Sequence, residues 1–129
     1  MKTVYLCGGI MNLSTNEQKD WRENAKEQLI RFNKLDPMRN NFRDLEQEHR
    51  NEIIGFCKKD IIDSDILLVN ATKPSWGTAM EIMFAFERNK IIVAFTGNDF
   101  EKTSPWVIFH STRICKTLEE ALEYINRHF

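Results

Sequence analysis

A three-layer α/β domain around a doubly wound, flavodoxin/Rossmann-like parallel sheet of about five strands is the fold this sequence predicts. Three observations carry that expectation. Short apolar runs alternate along the chain with longer stretches of helical periodicity. Two of the runs, Ile66-Leu67-Leu68-Val69 and Ile91-Ile92-Val93-Ala94-Phe95, are apolar on both faces, as strands buried between two helical layers must be. Capping-box patterns, Ser14-x-x-Glu17 and Thr117-x-x-Glu120, open two of the helical stretches. No repeat or linker interrupts the alternation, so residues 1–129 are expected to form one domain.

The elements follow in order. Val4-Tyr5-Leu6-Cys7 is the first strand, stopped by Gly8-Gly9. Behind the Ser14 cap, Trp21, Ala25, Leu29 and Phe32 recur at helical spacing. Lys34-Leu35-Asp36 gives a short second strand, ended by Pro37. A polar helix is expected from about Arg43 to about Asp63, weakened in its middle by Gly55. After the third strand, Lys73 to Gly77 form a loop, and Thr78 to Arg88 read as a helix with Met80 and Phe84 turned inward. The fourth strand ends at Gly97-Asn98, and residues 98–105 are a loop. Either Trp106 to Phe109 or Thr112 to Cys115 supplies the last strand, and Leu118, Ala121, Leu122 and Ile125 form the inner stripe of the closing helix.

In such sheets ligands bind beyond the carboxyl ends of the strands, where the winding reverses. A flavodoxin-like order puts the first and third strands side by side there. Their loops, Gly8-Gly9-Ile10-Met11-Asn12 and Asn70 to Gly77, are also the most unusual in the chain.

Composition narrows the function. The charge is nearly balanced, 18 Lys and Arg against 19 Asp and Glu, and the basic residues are scattered. That argues against a surface for a nucleic acid polymer, though not against one small anion. Three distant cysteines, Cys7, Cys57 and Cys115, lack metal-ligand spacing and read as reduced thiols, so a cytoplasmic protein with no disulfide is expected. The longest apolar runs are too short to span a bilayer, and no signal peptide is expected. Neither a metal nor a cofactor is expected.

The chemistry lies in the two loops. Pro74-Ser75-Trp76-Gly77-Thr78-Ala79-Met80-Glu81 leads into a helix whose free N–H groups favour an anion or an oxygen-rich sugar. Ser75 offers a hydroxyl, Gly77 lets backbone approach a ligand, and Glu81 can point back into the crevice. Read blandly, Thr78-x-x-Glu81 is a capping box in which the glutamate satisfies backbone donors. Gly8-Gly9 alone is a tight turn without GxGxxG spacing, and Tyr5 alone is a core tyrosine.

Taken together, Val4-Tyr5-Leu6-Cys7-Gly8-Gly9, Leu35-Asp36-Pro37-Met38-Arg39, Asp60-Ile61 with Ser64-Asp65-Ile66-Leu67-Leu68-Val69-Asn70, and Pro74-Ser75-x-Gly77-Thr78-x-x-Glu81 resemble the nucleoside 2-deoxyribosyltransferase family. That family includes the 2′-deoxynucleoside 5′-monophosphate N-hydrolases. The resemblance runs from Tyr5 to about Phe95, more loosely to Ser111. It implies that Glu81 is the catalytic nucleophile and that Tyr5 orients it. Six residues before the glutamate the transferases carry an aspartate that holds the sugar 5′-hydroxyl, and the hydrolases a serine. Ser75 stands there, and a hydroxyl attracts a phosphate that a carboxylate would repel. A 5′-monophosphate is therefore expected, held by Ser75, Gly77, Gly8, Gly9 and Ile10, with Asp36 and Arg39 also in the substrate site.

The family's aspartate near the leaving base falls on Cys57, and Asp60, one helical turn on, is the expected substitute. The base could stack on Trp76 or Met11. The family also borrows a polar residue from a neighbouring subunit, which points to Ser111 or His110 and to a homo-oligomer. Cleavage would form a glycosyl ester on Glu81, released by water or by a second base with retention of configuration.

Two other readings share these residues. Pro74 to Glu81 also resembles the PGGxGTxxE signature of phosphoribohydrolases, one residue short, which would mean ribonucleotide substrates. A nucleotide-binding module without catalysis is the third. A phosphorylation-dependent receiver is excluded, because Cys7-Gly8-Gly9 supplies no acidic cluster.

Overall fold

Alternation along the strands decides which layer each side chain joins. The computed structural model describes residues 1–11, 13–40, 42 and 44–129. Its five strands are β1 (Thr3–Gly8), β2 (Asn33–Leu35), β3 (Ile66–Asn70), β4 (Ile91–Phe95) and β5 (Arg113–Cys115). All pair in parallel in the order β2-β1-β3-β4-β5. The winding therefore reverses between β1 and β3, which run in register from Val4 opposite Ile66 to Gly8 opposite Asn70. This is the flavodoxin-like order.

The helices are α1 (Thr15–Gln28), α2 (Arg50–Asp63), α3 (Trp76–Phe86), α4 (Pro105–His110) and α5 (Leu118–His128). Val4, Leu6, Ile66, Leu68 and Val93 point to one side and pack on Ala25, Leu29, Ala121, Leu122 and Ile125 of the α1–α5 side. Tyr5, Cys7, Leu67, Val69, Ile92 and Ala94 point to the other and pack on Ile61, Ile82 and Ala85. Burying each of these aliphatic side chains contributes about 1.5–3 kcal/mol, so each layer is held without any special bond. The period of 2 in β1 thus sends Tyr5 and Cys7 toward α2 and α3. No described helix is long and apolar enough to cross a membrane.

The capping box forms as expected at α1, where Ser14 and Glu17 reciprocate; at α5 only half of it forms, Thr117 accepting the Glu120 N–H while the Glu120 carboxylate accepts from the Lys116 N–H. Several boundaries differ. Asp36 is not strand but the cap of a 3₁₀ turn, Pro37–Arg39, its carboxylate accepting the Met38 N–H at 2.8 Å. The second helix begins at Arg50. Its expected start, Arg43, lies outside the described residues, but Asp44 has φ 65°, a left-handed conformation that no helix continues through. Gly55 does not interrupt the helix.

The third helix starts two residues early, at Trp76, because Ser75 is the cap, its Oγ accepting the Thr78 N–H at 3.3 Å. Thr78, Ile82 and Ala85 form its inner stripe, and Met80, out of phase with them, is 70% exposed rather than inward. Phe84 is half-buried against the core. Thr112 to Cys115 carries the last strand. Trp106 to Phe109 belongs to α4, which Ser104 caps and Pro105 opens as the favoured first residue of a helix.

Candidate active site

The carboxyl ends of β1, β2 and β3 open into a cavity of about 1060 Å³, walled by α1, α2 and α3. Its floor is set by β1. Tyr5 is fully buried, and its hydroxyl donates to Glu81 Oε2 at 2.5 Å. Cys7, two residues along the same strand face, points its thiol at Glu81 Oε1 from 3.7 Å. Glu81 lies six residues beyond the Ser75 cap, in the second turn of α3, and borders the cavity. It satisfies no backbone donor of its own helix end, so the capping-box reading of Thr78-x-x-Glu81 does not hold.

Burial raises the Glu81 carboxyl above the ordinary glutamate range, and hydrogen bonds from Tyr5, Cys7 and Cys57 and the charge of Arg22 pull the other way. The Tyr5 hydroxyl is pushed far up by burial and then by the adjacent Glu81 charge, so it stays protonated and acts as a donor.

The two loops meet at the mouth. A Cβ on Gly8 would stand 2.8 Å from Trp21 Cζ2 and 3.2 Å from Asn70 Cβ, so only glycine fits between α1 and the end of β3. A Cβ on Gly9 would lie 3.7 Å from Ser75 Oγ, which places the two loops in contact. A Lys73–Glu17 ion pair ties the second loop to the first turn of α1. Ser75, Gly77, Gly8, Ile10 and Met11 line the cavity, and nothing occupies the space over Gly77. Asn12 lies outside the described residues.

The opposite wall is ionic. Asp36 pairs with Lys26 at 2.6 Å and Arg22 at 3.7 Å, and Arg39 donates to Asp60 Oδ1 at 2.7 Å and to the Asp36 carbonyl at 2.9 Å. Asp36 and Arg39 both border the cavity.

Four expected residues fall elsewhere. Asp60 is buried and turned to Arg39, and it does not line the cavity; Cys57, a turn earlier, does. Burial raises the Cys57 thiol to about 11, and it faces Tyr5 and Glu81. Trp76 is 89% exposed and outside the cavity, because the first residue of α3 points away from the sheet's end. Ser111 and His110 end α4 at the amino edge of the sheet, with Ser111 Oγ donating to the Val107 carbonyl, so within one chain they stand at the wrong end of the strands.

Sequence reasoning missed Arg22. It is fully buried, stacks on Trp21, and donates to the carbonyls of Leu6 (3.3 Å), Gly8 (3.0 Å) and Gln18 (2.5 Å). The signal was present: Gln18, Arg22, Ala25 and Leu29 form one helical stripe whose first two members are polar, on the side that faces the sheet.

Comparison with known proteins bears on this cavity. The family model described as nucleoside 2-deoxyribosyltransferase matches residues 4–118, nearly the whole chain. The chain belongs to the nucleoside 2-deoxyribosyltransferase family. It is thus an enzyme of nucleotide metabolism, in a family of nucleoside deoxyribosyltransferases. Comparison with curated protein sequences gives no match. Among solved structures, a conserved protein of Enterococcus faecalis V583 is similar with a TM-score of 0.78 at 16% identity, over 100% of this chain and 99% of that one. A 2-deoxyribosyltransferase of the psychrotolerant Bacillus psychrosaccharolyticus gives 0.76 at 16% identity, over 95% and 91%. A CMP N-glycosidase of Clostridium botulinum gives 0.65 at 16%, over 99% and 100%. At that identity the likeness is one of fold. In a nucleoside 2-deoxyribosyltransferase-like chain, the pairing of Tyr5 with Glu81 is the feature of the cavity to explain.

Proposed function

We propose that this enzyme hydrolyses the N-glycosidic bond of a 2′-deoxynucleoside 5′-monophosphate, with Glu81 as nucleophile. The observation that carries the reading is the 2.5 Å hydrogen bond from buried Tyr5 to Glu81 at the floor of a nucleotide-sized cavity. A lone desolvated carboxylate held in one rotamer suits attack on an anomeric carbon that is becoming cationic. Glu81 forms a bond to C1′ as the C1′–N bond breaks and its electron pair leaves with the base. Water then releases deoxyribose 5-phosphate, with overall retention.

The monophosphate preference rests on Ser75. As the cap of α3 it accepts from Thr78 and keeps its own O–H free to donate, beside the first N–H groups of the helix and the open space over Gly77. No carboxylate stands at that position. Arg39, which spends two N–H groups on Asp36 and Asp60, keeps others for an acceptor on the leaving base. We also take the chain to act as a homo-oligomer, a second copy covering the exposed Met83, Phe86, Trp106 and Phe109 of α3 and α4.

The test is to incubate the four common deoxynucleosides and their 5′-monophosphates with the protein, with Glu81→Gln, and with an added acceptor base, and to follow free base by chromatography. Release from monophosphates alone, reduced about 10³-fold or more in Glu81→Gln, is the expected outcome. Exchange from unphosphorylated nucleosides would replace hydrolysis with transfer, and release from ribonucleoside 5′-monophosphates, run in parallel, would favour the phosphoribohydrolase reading. A monomeric mass by light scattering would remove the oligomer.

A further inference from the structure

The two oxygens of Glu81 are held by different chemistry. Oε2 accepts a short bond from a phenol, and Oε1 faces the Cys7 thiol, a far weaker donor, at 3.7 Å. Cys7 is wholly buried, so this thiol is shielded from solvent. Burial, then the Glu81 charge, raises it well above the ordinary thiol range, which keeps it as S–H. The other groups facing Glu81 are Tyr5 from the same strand, Cys57 from α2 and the Arg22 charge from α1.

We propose that Cys7 is a positioning residue that makes Oε1 of Glu81 the attacking atom, fixing that oxygen's direction while leaving its electron density free. The proposal rests on the nucleophile reading of Glu81. In the step, a lone pair on Oε1 forms the bond to C1′, the C1′–N bond breaks, and its electron pair leaves with the base. Oε2 becomes the ester carbonyl, which can go on accepting from Tyr5. Oε1 becomes the ester oxygen, a poor acceptor. A strong donor on Oε1 would therefore stabilise the carboxylate more than the transition state and slow the attack. A thiol orients the oxygen with little of that penalty.

The test compares wild type, Cys7→Ser and Cys7→Ala, with Glu81→Gln as control. Two quantities are read: the pH profile of kcat on the monophosphate cleaved in the assay above, and the titration of the Glu81 carboxyl by carbon NMR. The NMR signal is assigned by its absence from Glu81→Gln. Serine should pull the Glu81 titration to lower pH and reduce kcat about tenfold, with KM within about twofold. Alanine removes the donor, so its titration should move to higher pH, and the acid limb of kcat should follow. A packing role would change the melting temperature of both variants and leave the titrations where they were. Coincident titrations in the three proteins overturn the proposal. Activity surviving in Glu81→Gln would instead overturn the nucleophile reading, and it is told apart because the NMR shifts would remain.

Discussion

The floor and the wall of the cavity hold their carboxylates in opposite ways. On the wall, Asp36 and Asp60 are each matched by a cation, Asp36 by Lys26 and Arg22, Asp60 by Arg39. On the floor, Glu81 is met by a phenol and a thiol, and the cation whose charge reaches it, Arg22, spends its hydrogen bonds on backbone carbonyls and not on Glu81. Each of these charges has a partner that offsets part of what it loses in leaving water, so the wall is a structural device. A carboxylate held only by neutral donors keeps its desolvation penalty, and it is that penalty which makes it reactive. The same carboxylate group therefore reads as architecture or as chemistry according to what faces it.

Arg22 is where the wall would break first. It joins the carbonyls of Leu6, Gly8 and Gln18 to Asp36 from a fully buried position. Arg22→Met would remove a buried donor from three carbonyls and leave Asp36 with Lys26 as its one cation. Destabilisation of about 3 kcal/mol is expected, seen by calorimetry as a fall in Tm of roughly 10 °C. Arg22→Lys should recover little, since a point charge cannot serve three divergent carbonyls. A Tm within about two degrees of wild type would mean the wall owes nothing to its buried cation.

Tyr5 tests the floor. Tyr5→Phe removes the Oε2 donor and nothing else of size, so kcat should fall about 30-fold with KM little changed, equivalent to about 2 kcal/mol. Because that donor lowers the Glu81 carboxyl, its loss should also move the acid limb of the pH profile upward. An unchanged acid limb would separate Tyr5 from Glu81 and leave it a core tyrosine.

The contrast between floor and wall also explains what the sequence made legible. The strands and four of the helices follow from periodicity and caps, because apolar spacing and Ser or Thr caps act locally; the strand order was taken from the fold class and is not a local property. The pairing of Tyr5 with Glu81 came from a family pattern; they sit 76 residues apart, and only the β1–β3 crossing brings them together. Asp60 was misplaced for a related reason. The i, i+3 spacing from Cys57 is local, but Arg39, which draws the carboxylate aside, arrives from the loop after β2. Met80 was taken inward on hydrophobicity alone, although Thr78, Ile82 and Ala85 already complete the buried stripe of α3. Buried Arg22 escaped because a charged residue in an apolar stripe is read as surface until its carbonyl partners are known.

The smallest expected effect is the one that separates floor from wall most directly. At low pH the Glu81 carboxyl is protonated in the folded and unfolded chain alike, and burial adds no ionic penalty. As pH rises through the ordinary glutamate range, the unfolded chain ionises first, because burial holds the folded group higher. Stability falls through that window and levels off once the folded group has ionised too. Glu81→Gln has no such loss, so the inactive variant should melt higher than wild type, by about 4 °C at about pH 7 and by less at about pH 4. Differential calorimetry on both proteins across that range isolates the residue, since every other titrating group is common to the two. The corresponding change on the wall, Asp60→Asn, should go the other way and lower Tm near pH 7, because it leaves Arg39 without its partner. If Glu81→Gln instead lost stability relative to wild type as pH rose, Glu81 would be one more paired carboxylate, and the floor would differ from the wall in nothing but position.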